Sequence, residues 1–436
     1  MKAISRKTRV AVLGGGPAAI AAVYSLLNGK DAETYEITVY QENTQLGGKC
    51  ASFTANSPTN HRIYEHGLHV LMGFYDVSLS WIHDMYREIA KGPFAKNLPT
   101  VKEIFKPADS FTLCENPDDA GWQYWTLPFP ENKRAIGDKR QSLHQLIGQG
   151  LRAFLKLRRA LAKQHGGHYQ HLRLFLFEVL LILLLGLMAI GSVLKLLHWS
   201  RLFAGLRRFI AREMRNELHR IGAKLDENKG VDNVTRQLAM CIGFVGVNLC
   251  GILQDELYLP PNDLRSINDQ DYKDWLKQHN VADWPEDLSW NSVVVNALYQ
   301  LPFSNGTSMA AGTTLHTVMR LGMGYAGHVA YHIKLGMGDA VFAPAYLLLK
   351  DKVDFKFFHQ VCDVVPDETN SSIKRVSIQA YDLDKNFQPL RKISVGDNEW
   401  FSWADCPTRS PQCRTLELEA GHDFDVLILG MSVGSF

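Results

Sequence analysis

The chain has 436 residues, 47 Lys and Arg against 45 Asp and Glu, a formal net charge of +2 and 46% hydrophobic residues. That is long enough for a large core and two domains, and the composition excludes a disordered or collagen-like chain. A charge this close to neutral singles out no partner. The seven scattered cysteines, without a CxxC pair, point to reduced thiols in a cytoplasmic compartment rather than to a disulfide framework or a metal site.

The basic start, MKAISRKTR, runs straight into the strand Val10–Leu13, an apolar run that is too short for a signal peptide and lacks its cleavage pattern. From Val10 to Leu27 the sequence VAVLGGGPAAIAAVYSLL reads as strand, glycine turn and helix, and a second strand follows at Glu36–Tyr40. Gly14, Gly16 and Ala19 stand where the dinucleotide fingerprint needs small residues: Gly14 for the tight turn, Gly16 for close approach of a pyrophosphate, Ala19 for packing of helix on strand. The helix start offers its free N–H groups and positive dipole end to the phosphates. Gly14, Gly15, Gly16, Pro17, Ala18 and Ala19 therefore form the first candidate cofactor-binding stretch. A lone GxGxxA also marks ordinary turns; its setting between strand and helix gives it weight.

At the end of the second strand, where a dinucleotide site usually places an acid for the ribose hydroxyls, stands Gln41, followed by Glu42. Gln41 can accept through its carbonyl and donate through its amide, so a ribose contact survives without the charge; a solvent-exposed strand end is the other reading. In Leu46-Gly47-Gly48-Lys49, Gly47 and Gly48 allow close backbone approach and Lys49 brings a cation for phosphates, unless this is an ordinary turn after a strand. The element resembles the LGG-(Arg/Lys) element of FAD proteins of the amine oxidase and carotenoid desaturase superfamily. It points to FAD as cofactor, with NAD(P) the alternative. A third segment, RIYEHGLHVLMGFY at Arg62–Tyr75, is similar to a GLHVFFGCY-like stretch that follows LGGK in the plant and cyanobacterial phytoene and ζ-carotene desaturases. There it lies beside the flavin ring, so the resemblance implies that His66, Gly67, Leu68 and His69 lie near the isoalloxazine, with Glu65 a lesser candidate. Taken singly, these histidines read as core residues satisfied by backbone partners. No catalytic residue is assigned.

Gly92-Pro93, Pro99, Pro107 and Pro117 punctuate the start of an inserted region that a substrate domain would occupy, and Trp122, Trp125, Pro128 and Phe129 form an aromatic cluster read as core. Leu174–Leu194 carries one charge, Glu178, and as a helix would span about 31 Å, close to the hydrocarbon thickness of a bilayer. Between Gly150 and Arg215 stand twelve Lys or Arg against two acids, Glu178 and Glu213. Three readings are open: a helix or hairpin dipping into one leaflet, an all-round apolar helix buried in the protein, or a true span, which would part the two halves of a split domain. The neighbours Leu151–Leu161 and Leu202–Met214 interleave Leu and Phe with Arg and Lys, as interfacial helices do, and favour contact with a membrane surface. Nucleic acid is not an expected partner, because no nucleic-acid module is visible. Asp263–Asn280 reads as a polar surface helix capped by Ser266 or Asn268.

Leu335-Gly336-Met337-Gly338-Asp339, the apolar helix Ala340–Lys350 with Pro344 near its start, and the strand Phe355–Val361 resemble the superfamily's return into its FAD domain. The resemblance implies that the Val361 backbone contacts the adenine. From Asp363 to His422 the sequence reads as polar and irregular, with Pro389, Pro407 and Pro411, and Phe424–Ser432 resembles the domain's late strand. The superfamily closes its cofactor site with a later glycine-rich segment containing a Gly-Asp pair and a final helix. Here the sequence stops at Phe436. It reads as an incomplete copy of a longer protein, or as a native stop that binds FAD poorly or relies on a partner.

The expectation is an α/β protein in which a doubly wound, Rossmann-like FAD-binding domain is split by a mostly helical substrate and membrane region. Its parts are residues 1–95, the inserted region 96–325 with the membrane-contacting apolar helix near 174–194, and the returning part 326–436. The resemblance implies an FAD-dependent oxidoreductase whose flavin takes a hydride from an apolar, lipid-like substrate held in a membrane, in a cytoplasmic protein peripheral to the membrane's inner face. The alternatives are an amine oxidase-like flavoenzyme on a soluble amine and an inactive, truncated dinucleotide-binding remnant.

Overall fold

The computed structural model describes residues 6–54, 63–67, 70–94, 98–116, 121–138, 140–164, 204–227, 232–258, 263–282, 284–300, 308–395 and 398–432. Leu68, His69 and the apolar stretch Leu174–Leu194 lie outside the described residues, and so do the readings placed on them. In chain order the elements are β1 (Thr8–Leu13), α1 (Pro17–Leu27), β2 (Tyr35–Gln41), β3 (Ser52–Thr54), β4 (Ile63–Glu65), β5 (Val70–Met72), α2 (Asp76–Ile89), α3 (Val101–Ile104), β6 (Phe105–Ala108), β7 (Ser110–Glu115) and β8 (Gln123–Pro128). There follow α4 (Leu143–Gln164), α5 (Ala204–Glu227), α6 (Asn233–Gln254), α7 (Tyr272–His279), α8 (Val293–Tyr299), α9 (Ala311–Met323), β9 (Ala330–Ile333), a π-helical turn (Gly338–Phe342) and α10 (Ala343–Leu349). The last strands are β10 (Asp354–Phe357), β11 (His359–Pro366), β12 (Ile373–Tyr381), β13 (Leu390–Val395), β14 (Asn398–Trp403), β15 (Cys413–Glu419) and β16 (Val426–Leu429). They sort into two compact units, one of Met1–Leu71, Tyr75–Ala108 and Ala330–Phe436, the other of Met72–Phe74 and Asp109–Val329.

The first unit is mixed α/β. Its main sheet has the order β10-β2-β1-β16, every neighbouring pair parallel. β1 is central, and Val10, Ala11, Val12 and Leu13 are all buried, which is why it reads as a continuous apolar run rather than an alternation. Ala11 and Leu13 face a three-stranded antiparallel sheet of order β11-β12-β15, whose Val376, Ile378 and Leu418 share a core with them. Strand alternation turns Val10 and Val12 to the opposite face. α1 buries Ala19, Ile20, Val23 and Tyr24.

Two expectations are corrected in this unit. The strand expected at Phe355–Val361 is broken at Phe358, which has φ +58°. β10 ends at Phe357 in the parallel sheet, and Val361 belongs to β11, paired antiparallel with Ile378 of the second sheet. The stretch expected to be irregular from Asp363 to His422 is instead mostly strand, from the end of β11 through β15. In β12 the buried residues are Val376, Ile378 and Ala380, a two-residue period that polar partners between them mask in composition.

The second unit is mainly helical. α4, α5 and α6 pack through Ile147, Leu151, Phe154, Ile210, Met214, Leu218 and Val247, all within one core. A Cβ on Gly246 would lie 2.9 Å from Phe154 and 3.0 Å from Leu218, Gly150 lies against Leu249, and the Cys250 thiol reaches the Ala211 carbonyl at 3.9 Å. Rising numbers in α4 and α5 thus meet falling numbers in α6: both run antiparallel to it and parallel to each other. α6 is long and apolar enough to cross a membrane by length and composition, and 67% of its most apolar window is buried inside the protein, as in a core helix.

Three further expectations change here. The apolar faces of Leu151–Leu161 and of the described part of Leu202–Met214 are buried in the unit's core, so they are not free to enter a lipid surface. Asp263–Asn280 is a short 3₁₀ turn capped by Asp263 and then α7, capped by Asp271 rather than by Ser266 or Asn268. Of the aromatic cluster, Trp125 is buried and donates to Glu115 at 2.7 Å, and Phe129 packs on Phe111 and Tyr325, while Trp122 is 65% exposed.

Candidate dinucleotide-binding site

The carboxyl ends of β1 and β2 carry the candidate site, where ligands bind in open parallel sheets. Gly14 leaves β1 with φ +93°, a conformation that favours glycine, and its N–H donates to the Tyr40 carbonyl at 2.8 Å. The Gly15 N–H donates to Gln41 Oε1 at 2.6 Å. Gly15 also lies so close to Leu46 and Gln41 that a Cβ would stand 2.6 and 2.9 Å from their side chains.

Gly16 differs from both. Its backbone is extended (φ −71°, ψ 173°), open to any residue, and a Cβ there would meet only the Gly430 carbonyl at 3.4 Å. Neither backbone nor internal packing demands a glycine at this point. α1 begins directly after it with Pro17 at its first turn, no side-chain cap and no acid in that turn. The N–H groups of the first turn and the positive dipole end are therefore left to an anion.

The Leu46–Lys49 turn closes on this one. Gly47 (φ +110°) donates its N–H to the Gly15 carbonyl at 2.8 Å, and a Cβ on Gly48 (φ +54°) would lie 3.3 Å from Gly16 Cα. Lys49 is exposed beside it. The two glycine turns thus form one cradle, an arrangement that fits a pyrophosphate in contact with backbone.

Ala19, 1% exposed, has a partner that sequence reading missed. A Cβ on Gly430 would stand 2.6 Å from Ala19 Cβ and 2.9 Å from the Gly14 and Leu13 carbonyls, and the Gly430 N–H donates to Leu13 at 2.8 Å. The small residue at position 19 lets α1 approach the end of β16. The only sequence signal was a glycine directly after the last strand.

Gln41 is 6% exposed, so it is not a solvent-exposed strand end; its Nε2 donates to Asn43 Oδ1 at 2.8 Å. Glu42 is exposed. Its carbonyl accepts from Arg409 at 2.8 Å, and the Arg409 guanidinium lies over the rings of Phe358 and Tyr381. Val361 packs its side chain onto the core shared with Ala11 and Leu13. His66 and Gly67 are exposed, His66 edge-on to Phe53 with ring centroids 5.6 Å apart.

Glu65 and Ser52 have a definite task. Ser52 donates to Glu65 at 2.9 Å, Glu65 accepts the Met337 N–H at 2.7 Å, and Ser52 accepts the Gly338 N–H at 2.8 Å. They fix the Leu335–Asp339 turn, in which Leu335 (φ +68°) and Gly336 (φ +87°) are both left-handed. Asp339, next in line, is 3% exposed and accepts from Ser402 Oγ and Trp403 N, both at 3.1 Å. Burial pushes its carboxyl up to about 6. All seven cysteines are free; Cys50 lies near Glu65, and burial raises its thiol pKa.

Residues 12–89 match the family model of the NAD(P)-binding Rossmann-like domain. No curated protein matches the chain. Among solved structures it is similar to the CLA-producing fatty acid isomerase from P. acnes, with 13% identity and a TM-score of 0.30 over 99% of this chain and 61% of that one. The chain therefore spans about three fifths of the length of that structure. The parallel sheet, the glycine turn and the family model together make the N-terminal unit a Rossmann-like dinucleotide-binding fold.

Proposed function

We infer that the chain is an FAD-dependent oxidoreductase similar to the amine oxidase and carotenoid desaturase superfamily, acting on an apolar substrate. The observation that carries the cofactor reading is Gly16, a glycine that its own protein does not require, placed against Gly48 at the uncapped start of α1. A pyrophosphate accounts for it. In this reading Gly14–Ala19 hold the phosphates through backbone N–H groups and the helix dipole, Gly47 and Gly48 close the cradle, and Lys49 adds a cation. Gln41 and Glu42 stand at the ribose end. The choice of flavin over nicotinamide rests on the LGGK element and the GLHV segment. When bound, a flavin supplies the hydride acceptor, and the protein supplies binding and orientation. The apolar substrate rests on resemblance to the desaturases.

The test is the visible spectrum of the full chain after incubation with FAD and desalting, beside the same protein titrated with NADH and NADPH by fluorescence. A retained flavin band shifted from free FAD supports the reading. Nicotinamide binding without flavin retention replaces FAD by NAD(P), and binding of neither removes the dinucleotide assignment.

A further inference from the structure

In a dinucleotide fold an acid at the end of the second strand usually accepts from the ribose hydroxyls. Here that position is Gln41, and both ends of its amide are engaged: Oε1 accepts the Gly15 N–H at 2.6 Å, and Nε2 donates to Asn43 at 2.8 Å. The next acid along the chain is Glu42, whose side chain is 59% exposed. It is paired with a cation from far along the sequence. Arg409, in the loop between β14 and β15, donates through Nη2 to the Glu42 carbonyl at 2.8 Å and to Glu42 Oε1 at 3.4 Å. Among the described residues, the other carboxylate oxygen of Glu42 has no hydrogen-bond partner.

Arg409 is held in place from several sides. Its Nη1 donates to Gln360 Oε1 at 3.5 Å, and its guanidinium lies 5.5 Å from the centre of the Phe358 ring and 5.3 Å from that of the Tyr381 ring. Phe358 has the left-handed backbone (φ +58°) that breaks β10 from β11, a conformation that a bulky residue adopts only at a cost. At that break its buried ring backs the guanidinium. The outcome is a fixed positive charge beside a carboxylate with one oxygen to spare, at the strand end where the ribose belongs.

We propose that Glu42 and Arg409 form the ribose-reading pair of the dinucleotide site: the Glu42 carboxylate accepts from the ribose hydroxyls, and Arg409 is the positioning residue that holds it there. The pair sets specificity as well as affinity. An unmodified ribose offers hydroxyl donors to Glu42. A 2′-phosphate brings further negative charge against that carboxylate, and Arg409 is already shared with it. The site therefore selects FAD, or another dinucleotide with an unmodified ribose, over a 2′-phosphorylated one such as NADPH. This rests on the dinucleotide reading of the cradle and not on the choice of flavin.

The test is a calorimetric titration of the full chain with ADP-ribose and with 2′-phospho-ADP-ribose, which differ only in the 2′-phosphate. The parent should bind ADP-ribose at least about tenfold more tightly. Glu42→Gln removes the charge and leaves Arg409 to meet the phosphate, so it should weaken ADP-ribose and move the preference toward the phosphorylated ligand by at least about tenfold. Arg409→Met leaves the carboxylate alone, so it should weaken ADP-ribose about threefold to tenfold and move the preference the other way. A loop that is merely loosened would weaken both ligands alike. Equal weakening of both, shifts in the same direction, unchanged variants or a parent that prefers the phosphorylated ligand would overturn the proposal and leave the dinucleotide assignment standing. A parent that binds neither ligand would remove that assignment and the proposal with it. Melting temperatures control for folding. Should Arg409→Met melt early, Glu42→Gln alone carries the test, and an unmoved preference in that variant overturns the proposal.

Discussion

The Gly15 N–H donates to the side-chain carbonyl of Gln41 at 2.6 Å, tying the turn that opens α1 to the end of β2. Gln41→Leu would remove the acceptor and leave a buried N–H without a partner, at a cost of about 1–3 kcal/mol. Gln41→Glu would keep an acceptor there. We expect the Leu variant to melt lower than the parent and to bind dinucleotide more weakly, and the Glu variant to hold dinucleotide at least as well as the parent. Melting curves and an FAD titration on all three proteins check this; a Leu variant that melts and binds like the parent would show that the bond contributes nothing.

Gly16 and Gly430 make a contrasting pair. A Cβ at Gly16 meets only one carbonyl, at ordinary contact distance, so Gly16→Val should leave the melting temperature within a few degrees of the parent and abolish flavin retention. A Cβ at Gly430 collides with Ala19 at 2.6 Å and with two backbone carbonyls at 2.9 Å, so Gly430→Ala should destabilise the first unit by about 1–3 kcal/mol before any ligand is added. Melting without ligand separates the two. A Gly16→Val protein that unfolds early, or one that keeps its flavin, would remove the argument from that glycine.

In the second unit Asp271 holds three partners. Its Oδ1 accepts the Lys273 N–H at 2.9 Å, which caps α7, and the Tyr299 hydroxyl at 2.7 Å; its Oδ2 accepts the Met309 N–H at 2.9 Å. Asp271→Ala therefore loses a helix cap together with a buried contact, and should cost about 2–4 kcal/mol. Asp271→Asn keeps two acceptor sites on one oxygen and should recover about half of that. Urea denaturation at neutral pH gives both numbers.

Much of the N-terminal unit was legible in the sequence because each signal was local. The apolar run of β1, the glycine turn and the Pro at the start of α1 lie within Val10–Leu27. The antiparallel sheet was not legible, because β12 alternates Val376, Ile378 and Ala380 with Ser377 and Gln379 directly after Lys374 and Arg375, and composition averages that short alternation into a polar stretch. The break at Phe358 was hidden because a bulky residue with positive φ leaves no mark in sequence. The faces of α4 and α5 could be seen to be amphipathic, but which partner takes the apolar side is a tertiary fact: α6 takes it. Gly430 and the Ser52–Glu65 bracket depend on residues far apart in the chain, which no window of sequence brings together.

Asp339 makes the stability of the first unit depend on pH in an unusual direction. Its folded carboxyl titrates near 6 against an ordinary 3.8, because burial disfavours the charge; the Trp403 N–H, the Ser402 hydroxyl and Arg391 offset only part of that, and Glu65 adds to it. Between about pH 4 and 6 the folded state holds a proton that the unfolded chain has released. The stabilisation is complete below pH 4 and is lost as pH rises through 6. At ~1.4 kcal/mol per pH unit, the window is worth about 3 kcal/mol. Asp339→Asn keeps an oxygen for the Trp403 N–H and an amide that can donate to Ser402, without a charge to bury. The variant should therefore be more stable than the parent at pH 7, by up to about 3 kcal/mol, and equal to it near pH 4. Denaturant melts of both proteins across pH 4 to 7.5 read this as a difference that opens with rising pH. A difference that stays flat across that range would place the Asp339 carboxyl at its ordinary value.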